Sequence, residues 1–338
     1  MGTIVSQRVY GADEAAARET MARITEHIEA TEQEISWRIE DSQISRINAS
    51  AGEAAGCQIA PALGENFRQL WQLSRDSGGA FDLTIAPVVR LWDIDTWAVE
   101  GVGTLPTEDQ IREKLACTGY EQVTFGAALA QGHGAGNSCD GSTGGSGSES
   151  TGANAGGTAV ERIYLPEGYQ LDLGAVGKGL ACDRILELLA AQDKDIQGAV
   201  ISLGGNILTY GSKPDGTAWK VGVVDPEKPQ DYLGMLTLTG THFVTTSGDY
   251  ERYVEVDGVR YHHIIDPSTG YPADSGVCSV TILSDNGMLG DALSTACFVL
   301  GAEQGLDLAR EYGAEILIVT DFGELIMSEG MRGIFQER

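Results

Sequence analysis

The sequence predicts an α+β protein, a single large domain of mixed helix and strand. Three observations point there. Strand-like and helix-like segments interleave without a regular βαβ period, which disfavours a doubly wound parallel sheet. No G-x-G-x-x-G follows a strand and no Walker A sequence occurs. The 338 residues, 42% of them hydrophobic, are enough to bury a sizeable core.

Residues 4–10 read as the first strand. From Ala12 to Ile35, the apolar residues Met21, Ile24, Ile28 and Ile35 recur at helical spacing. A second helix is expected over Ala62 to Asp76, with Leu63, Phe67, Leu70 and Trp71 on one face. Thr107 and Gln110, after Pro106, form a capping-box pattern that starts a helix through Leu115. Residues 127–158 are Gly/Ser-rich and nearly free of large apolar groups. Burial cannot offset their ordering entropy, so a disordered loop is expected. The strand-like EQVTF before it and VERIYLP after it make it an insert in a hairpin; His133 lies there without an assignable role. Next come a helix over 176–191 and the strands GAVISL, WKVGVV, HFVTT, RYVEV and VCSVTIL. Helices over Asp291 to Leu300 and Leu306 to Tyr312 follow, then the strands AEILIV and GELIM.

A formal net charge of −27 argues against nucleic acid as a partner, since phosphate-backbone binding needs a basic surface. An anionic membrane surface is disfavoured for the same reason. Any phosphate must be held locally, by a metal ion, a helix N-terminus or a single Lys. The six cysteines include no C-x-x-C pair, so zinc is disfavoured and buried free thiols are the main reading. Cys139, in the polar insert, is expected to be exposed. There is no apolar run of about 18 residues to span a membrane.

Four stretches carry possible chemistry. In DLGAVGKGLACDRI (172–185), a Gly-containing turn opens a helix with Lys178 in its first turn. This is either an anion site or an ordinary strand-to-helix connection. In GDALSTACFVLG (290–301), Asp291, Ser294 and Thr295 fall at i, i+3 and i+4 on one helix face. They make a hard-oxygen set suited to Mg²⁺, or an N-cap Asp with buried hydroxyls. In SGGAFDLTIAPVVRLW (77–92), Gly78 and Gly79 permit close approach and Phe81 offers a flat ring for stacking; the alternative is a turn entering a strand. Gly204 and Gly205, after a strand in ISLGGNILTYG, permit close approach again.

Read in order, MGT at the start, DSQISRIN (41–48), GGAFDLT (78–84), LDLGAVGKG (171–179), SLGGN (202–206), TTSGDYERY (245–253), HHIIDPSTGYP (262–272) and DALSTACFVLG (291–301) resemble the ApbE family of FAD:protein FMN transferases. The resemblance covers nearly the whole chain except the insert. It implies a T-fold-like mixed α/β domain and a Mg²⁺-dependent reaction with FAD as substrate. FMN passes through its phosphate to a Thr or Ser hydroxyl of an acceptor protein with an FMN-binding-type domain, such as a redox-pump or respiratory flavoprotein subunit, and AMP leaves. The same site would also serve a Mg²⁺-dependent FAD pyrophosphatase, with water in place of the hydroxyl. A third reading, a non-catalytic flavin-binding protein, is disfavoured by an intact His263, Asp291 and Thr295.

Carried over by resemblance, Asp291, Thr295, Ser294 and the Ala175 backbone carbonyl match metal-contacting positions. Asp172 and Lys178 match FAD-contacting positions, as do Met1, Ala80, Phe81, Asp82 and Ile265. His263 matches the His before the Ile-Asp-Pro turn and is the candidate general base, with an expected pKa near the ordinary value of about 6.5. His262 is read as structural, and Asp249 and Asp266 are the reserve candidates for the base. One departure stands out. Members often carry an aromatic near position 38, where this chain has Arg38, assigned here to cofactor binding, with Trp37 one residue earlier. Members usually carry a signal sequence and lipobox Cys upstream of MGT, absent from this chain, so an extracytoplasmic, membrane-tethered full-length protein is expected, the alternative being a member that stays in the cytoplasm.

Deleting residues 129–156 is expected to leave the melting temperature within a few degrees of wild type, because loop-closure entropy changes slowly with length. A larger drop, or lost FAD binding, would show that the insert is structural.

Overall fold

A computed structural model describes residues 2–127, 161–191 and 196–338. Met1, His133, Cys139 and nearly all of the 127–158 insert lie outside the described residues. The chain opens with β1 (Val5–Gly11), α1 (Glu14–Ile35), α2 (Gln43–Ala49), β2 (Cys57–Ile59) and α3 (Pro61–Asp76). Next come α4 (Ala86–Trp92), α5 (Ile94–Glu100), α6 (Glu108–Leu115), β3 (Thr124–Ala127) and β4 (Glu161–Tyr164). Then follow α7 (Gly177–Ala191), β5 (Ile196–Leu203), β6 (Asn206–Gly211), β7 (Trp219–Asp225), β8 (Lys228–Leu238) and β9 (His242–Gly248). The last third holds β10 (Tyr253–Val256), β11 (Val259–His262), β12 (Val277–Ser284), α8 (Gly287–Leu300), α9 (Ala302–Glu311), β13 (Glu315–Thr320), β14 (Leu325–Met327), α10 (Glu329–Ile334) and β15 (Phe335–Glu337).

A seven-stranded sheet, ordered β1-β5-β6-β9-β12-β13-β14 and antiparallel throughout, forms the centre. Side chains alternate across it with the period of two that a strand imposes. On β9, Phe243 joins Ile24, Ile28, Ile185 and Leu188 of α1 and α7, whereas Val244 joins Trp219 and Leu236 of β7 and β8. On β13, Ile316 and Ile318 pack with Phe298 and Leu308 of α8 and α9, whereas Leu317 and Val319 face the β7–β8 side. The long helices therefore cover one face and the small β7-β8-β15 sheet covers the other.

Most expected elements appear where the sequence puts them, including the capping box of Thr107 and Gln110. The strands flanking the insert pair antiparallel, from Thr124 opposite Tyr164 to Ala127 opposite Glu161. Three readings change, one of them the start of α9, which lies at Ala302 instead of Leu306. The stretch after GGAFDLT enters helix α4, not a strand: Pro87 sits in its first turn, where a fixed φ and a missing N–H favour a helix start. Helix α8 begins a turn earlier than expected, capped by Asn286 through the Leu289 amide at 2.8 Å, so Asp291 is an interior residue and not the N-cap. Of the five cysteines in the described residues, all free, Cys182 and Cys297 are buried and the others half-buried.

The feature that places the site is the crossing of α7 and α8. A Cβ at Gly179 would overlap the Gly287 carbonyl oxygen, and one at Gly287 would meet the Gly179 carbonyl at 2.5 Å. Each helix supplies the other's cap. Asp291 Oδ2 accepts from the Gly179 amide at 2.9 Å. Asp183 accepts from the Gly287 and Met288 amides at 2.7 and 2.8 Å. These satisfy N–H groups that a helix start leaves unpaired, and they set a carboxylate against each positive dipole end. The first i to i−4 bond of α7 starts at the Val176 carbonyl, and Val176 has no side-chain acceptor with which to cap its own helix.

Gly179→Ala is expected to destabilise the protein by about 1–3 kcal/mol through overpacking at this crossing. Gly333→Ala, where a Cβ meets nothing within 4 Å, is the control. Chemical denaturation checks both, and wild-type stability in Gly179→Ala would contradict the crossing.

Candidate active site

Two contiguous chambers, of about 160 and 500 Å³, form one groove beside the crossing. The smaller brings together nearly all the residues singled out from the sequence. Arg38 comes from the α1–α2 connection, and Ala80, Phe81 and Asp82 from the α3–α4 connection. Asp172, Ala175 and Lys178 come from the entry to α7, His263 and Ile265 from the segment after β11, and Asp291 and Thr295 from α8. The larger chamber is bounded by Trp37, Val99 and Tyr253, among others. The two share Gly174 and the charged residues Arg38, Asp95, Asp172, Lys178, Glu251 and Arg252.

Charge concentrates at that junction. Lys178 Nζ lies 3.7 Å from Asp291 Oδ1, and the Asp291 side chain is only 3% exposed. A carboxylate so buried needs compensation, which Lys178 and the Gly179 amide supply. Burial raises the Asp172 carboxyl above the usual range, against the pull of the Gly174 amide, Trp37 and Arg38. Glu251, exposed into the groove, is likewise raised by desolvation and drawn down by Lys178 and Arg252. Lys178, Arg38 and Arg252 thus face Asp95, Asp172, Glu251 and Asp291, so a pyrophosphate entering here needs additional positive charge.

The residues fit a hard divalent cation. Asp291 Oδ2 is taken by Gly179, while Oδ1 faces Lys178. The Ala175 carbonyl accepts no backbone hydrogen bond among the described residues, although Ala175 lines the chamber. Thr295 lines it as well. One carboxylate, one hydroxyl and one carbonyl suit Mg²⁺, which completes its shell with substrate phosphate and water. No cluster of three or more His, Cys, Asp or Glu side chains suited to a metal occurs among the described residues.

Ser294 departs from its expected place. It is fully buried, does not line the chamber, and donates to the Asp291 carbonyl at 2.8 Å, as helical Ser residues do. Its hydroxyl lies 2.7 Å from Ser247 Oγ, and Ser247 is the serine at the wall, 3.3 Å from Thr295 Oγ1. Asp82 is also bound differently from expectation. Both its oxygens are engaged by the fold, with the Thr84 amide and hydroxyl at 2.8 and 2.7 Å and the Tyr120 amide at 2.9 Å. Phe81 is 2% exposed within the core, so its ring is not free to stack on a ligand. Arg38 and Arg90 lie over the Trp37 ring at 4.4 and 4.5 Å.

The two histidines separate cleanly. His262 is buried, its Nε2 is 3.0 Å from the Ala273 carbonyl, and its Nδ1 accepts from the Ile264 amide at 3.3 Å. Both nitrogens are bound, as expected of a structural residue. His263 lines the chamber with Nδ1 3.2 Å from the Arg252 carbonyl. A carbonyl only accepts, so Nδ1 carries the proton and Nε2 keeps its lone pair. Burial, reinforced by the Arg252 charge, lowers the His263 pKa to about 4, well below the near-neutral value expected from sequence. The turn after it is held by the Gly270 amide on the Asp266 carbonyl at 2.8 Å and by the Ser268 amide on Asp266 Oδ1 at 2.8 Å. Trp92 stacks on Tyr261 at 5.5 Å and donates to the Gly270 carbonyl at 2.8 Å. Neither reserve candidate lines the groove: Asp266 is tied into this turn, and Asp249 borders a separate cavity beside Arg260.

The polar groove residues that no single-residue signal marks include Ser247, Glu251, Arg252 and Asp95. The first three lie inside TTSGDYERY, a segment noticed only as a whole. Asp95 carries no local signal, because only the α4–α5 turn brings it to the groove.

Residues 1–318 match the sequence profile of the ApbE family. The chain is 34% identical to an FAD:protein FMN transferase of Treponema pallidum, over 94% of this chain and 82% of that one. It is 31% identical to another protein of that name from Klebsiella pneumoniae, over 98% and 90%. Its fold superposes on the ApbE protein of Thermotoga maritima with a TM-score of 0.78 at 28% identity, over 99% of each chain. It superposes on the flavin transferase ApbE of Vibrio cholerae with a TM-score of 0.72 at 25% identity, over 99% and 96%. With the ordered motifs, the groove they build and these likenesses all in agreement, the chain belongs to the ApbE family.

Proposed function

We propose that this protein transfers FMN from FAD to a hydroxyl of an acceptor protein, with Mg²⁺ bound. The observation that carries the reading is the junction itself. FAD has two bulky ends joined by a pyrophosphate, and the groove has two chambers that meet at Lys178, beside Asp291. The names of the relatives, FAD:protein FMN transferase, agree with it.

Asp291, Thr295 and the Ala175 carbonyl would hold the metal, which when bound offsets the charge of the pyrophosphate. Lys178 adds a fixed cation. Trp37 and Tyr253 bound the larger chamber, where a flat ring would be received. His263 acts on the acceptor. Its Nε2 accepts the proton of the Thr or Ser hydroxyl as that oxygen attacks the phosphorus of the FMN half. The bond from that phosphorus to the bridging oxygen breaks, and the oxygen departs with AMP. One P–O bond forms, one breaks, and the hydroxyl proton resides on His263. A base with pKa about 4 is weak at neutral pH, but it is wholly unprotonated and ready to accept. The family resemblance alone supports an FMN-binding-type acceptor domain and an extracytoplasmic, membrane-tethered full-length protein. Among the described residues, no helix is long and apolar enough to cross a membrane.

Incubation with FAD, Mg²⁺ and an acceptor domain, followed by intact mass, tests the reading: the acceptor gains FMN less one water. Free FMN and AMP without labelled acceptor would favour the pyrophosphatase instead. His263→Ala is expected to lower transfer by about 10²–10⁴-fold, the usual range for a positioned base, with FAD affinity kept. Protonation below the His263 pKa blocks Nε2, so kcat/KM falls with decreasing pH. Because that pKa is lowered to about 4, the fall comes well below pH 6.5. An acid limb centred near 6.5, or normal transfer by His263→Ala, would remove His263 from the role.

A further inference from the structure

Asp95 stands at the junction of the chambers and has no part in the roles assigned above. Its Oδ2 accepts from Arg38 Nη2 at 3.0 Å. Its Oδ1 and Oδ2 accept from Arg252 Nη1 at 3.2 and 3.3 Å. The three side chains come from distant parts of the chain: the first turn of α5, the α1–α2 connection and the β9–β10 connection. Asp95 is 34% exposed, Arg38 46% and Arg252 38%. Ion pairs this open to water add little to stability, so holding the fold together does not account for the arrangement.

Arg252 leads directly to the base. Its carbonyl accepts from the His263 amide at 3.1 Å and from Nδ1 at 3.2 Å. Asp95 therefore grips the side chain of the residue whose backbone fixes the imidazole. The grip comes from a packed element, since α5 lies against β10, which begins at the next residue, Tyr253. Charge acts in the same direction. Arg252 opposes protonation of His263 and Asp95 favours it, so Asp95 offsets the guanidinium that would weaken the base.

We propose that Asp95 is a positioning residue for the transfer reaction: by anchoring Arg252, it holds His263 with Nδ1 on the Arg252 carbonyl and Nε2 toward the incoming hydroxyl. This rests on the reading of His263 as the base. It predicts a loss in kcat rather than in FAD binding.

The test is a double-mutant cycle on the full chain with FAD, Mg²⁺ and an acceptor domain, with FAD affinity followed separately by flavin fluorescence. Asp95→Asn is expected to lower kcat by about 10- to 100-fold, the scale of a small misplacement of a reacting group, with FAD affinity not weakened, since the carboxylate removed opposes the pyrophosphate. Asp95→Glu, which keeps the charge, recovers most of the rate. In a His263→Ala background, Asp95→Asn has no further effect, because both act through one group. An equal drop in both backgrounds, or a drop confined to FAD affinity, overturns the proposal and leaves the role of His263 standing. Full transfer by His263→Ala alone overturns both. Should Asp95→Asn fail to fold, Arg252→Gln, which removes the anchored side chain and keeps the carbonyl, must show the same coupling to His263→Ala. Independent effects there overturn the proposal too.

Discussion

The approach of α7 to α8 at Gly179 and Gly287 positions Asp291 and Lys178 at the groove. Without side chains at these two positions, the helices cross at backbone contact, and Asp291 then reaches the open amide of Gly179. That hydrogen bond does two things at once. It caps a helix whose own first residues lack an acceptor, and it fixes one carboxylate oxygen so that the other faces Lys178 at 3.7 Å. Asp183 answers from the other helix, with a carboxyl raised to about 6 mainly by burial. The same two helices pack on the central sheet through Leu188 and Phe298, so the groove floor is continuous with the hydrophobic core. The strand that carries Phe243 into that core carries Ser247 to the groove wall four residues later.

Electrostatics gives the groove its chemical bias. In a chain of net charge −27, an anionic substrate is repelled at long range and must be captured at short range. The junction supplies Lys178, Arg38 and Arg252, but also Asp95, Asp172, Glu251 and Asp291. On the proposed reading, a bound cation tips this balance toward the pyrophosphate. A single buried carboxylate with a hydroxyl and a free carbonyl is a weak metal site alone and a better one when phosphate oxygens complete it. Metal and substrate are thus expected to support each other's binding.

Much of this was legible in the sequence. Periodic apolar residues gave α1 and α3, and the Thr107–Gln110 pair gave the start of α6. Eight short motifs in order gave the family, and through it Lys178, His263, Asp291 and Thr295. What escaped has physical reasons. Helix α4 hides a strand-like run, Ile85 to Val89, behind Pro87. Ser294 and Ser247 exchange places because a helical serine turns back to its own i−3 carbonyl, a preference that spacing alone does not reveal. The lowered pKa of His263 depends on burial and on Arg252, which adjoins it only through the β10–β11 hairpin.

The most direct measurement is anomalous diffraction from crystals of the full chain soaked with FAD and Mn²⁺ as a Mg²⁺ substitute. A peak between Asp291, Thr295 and the Ala175 carbonyl, in contact with the pyrophosphate at the junction of the two chambers, is the predicted result. FAD bound with its pyrophosphate away from Lys178, or manganese held by other side chains, would contradict it.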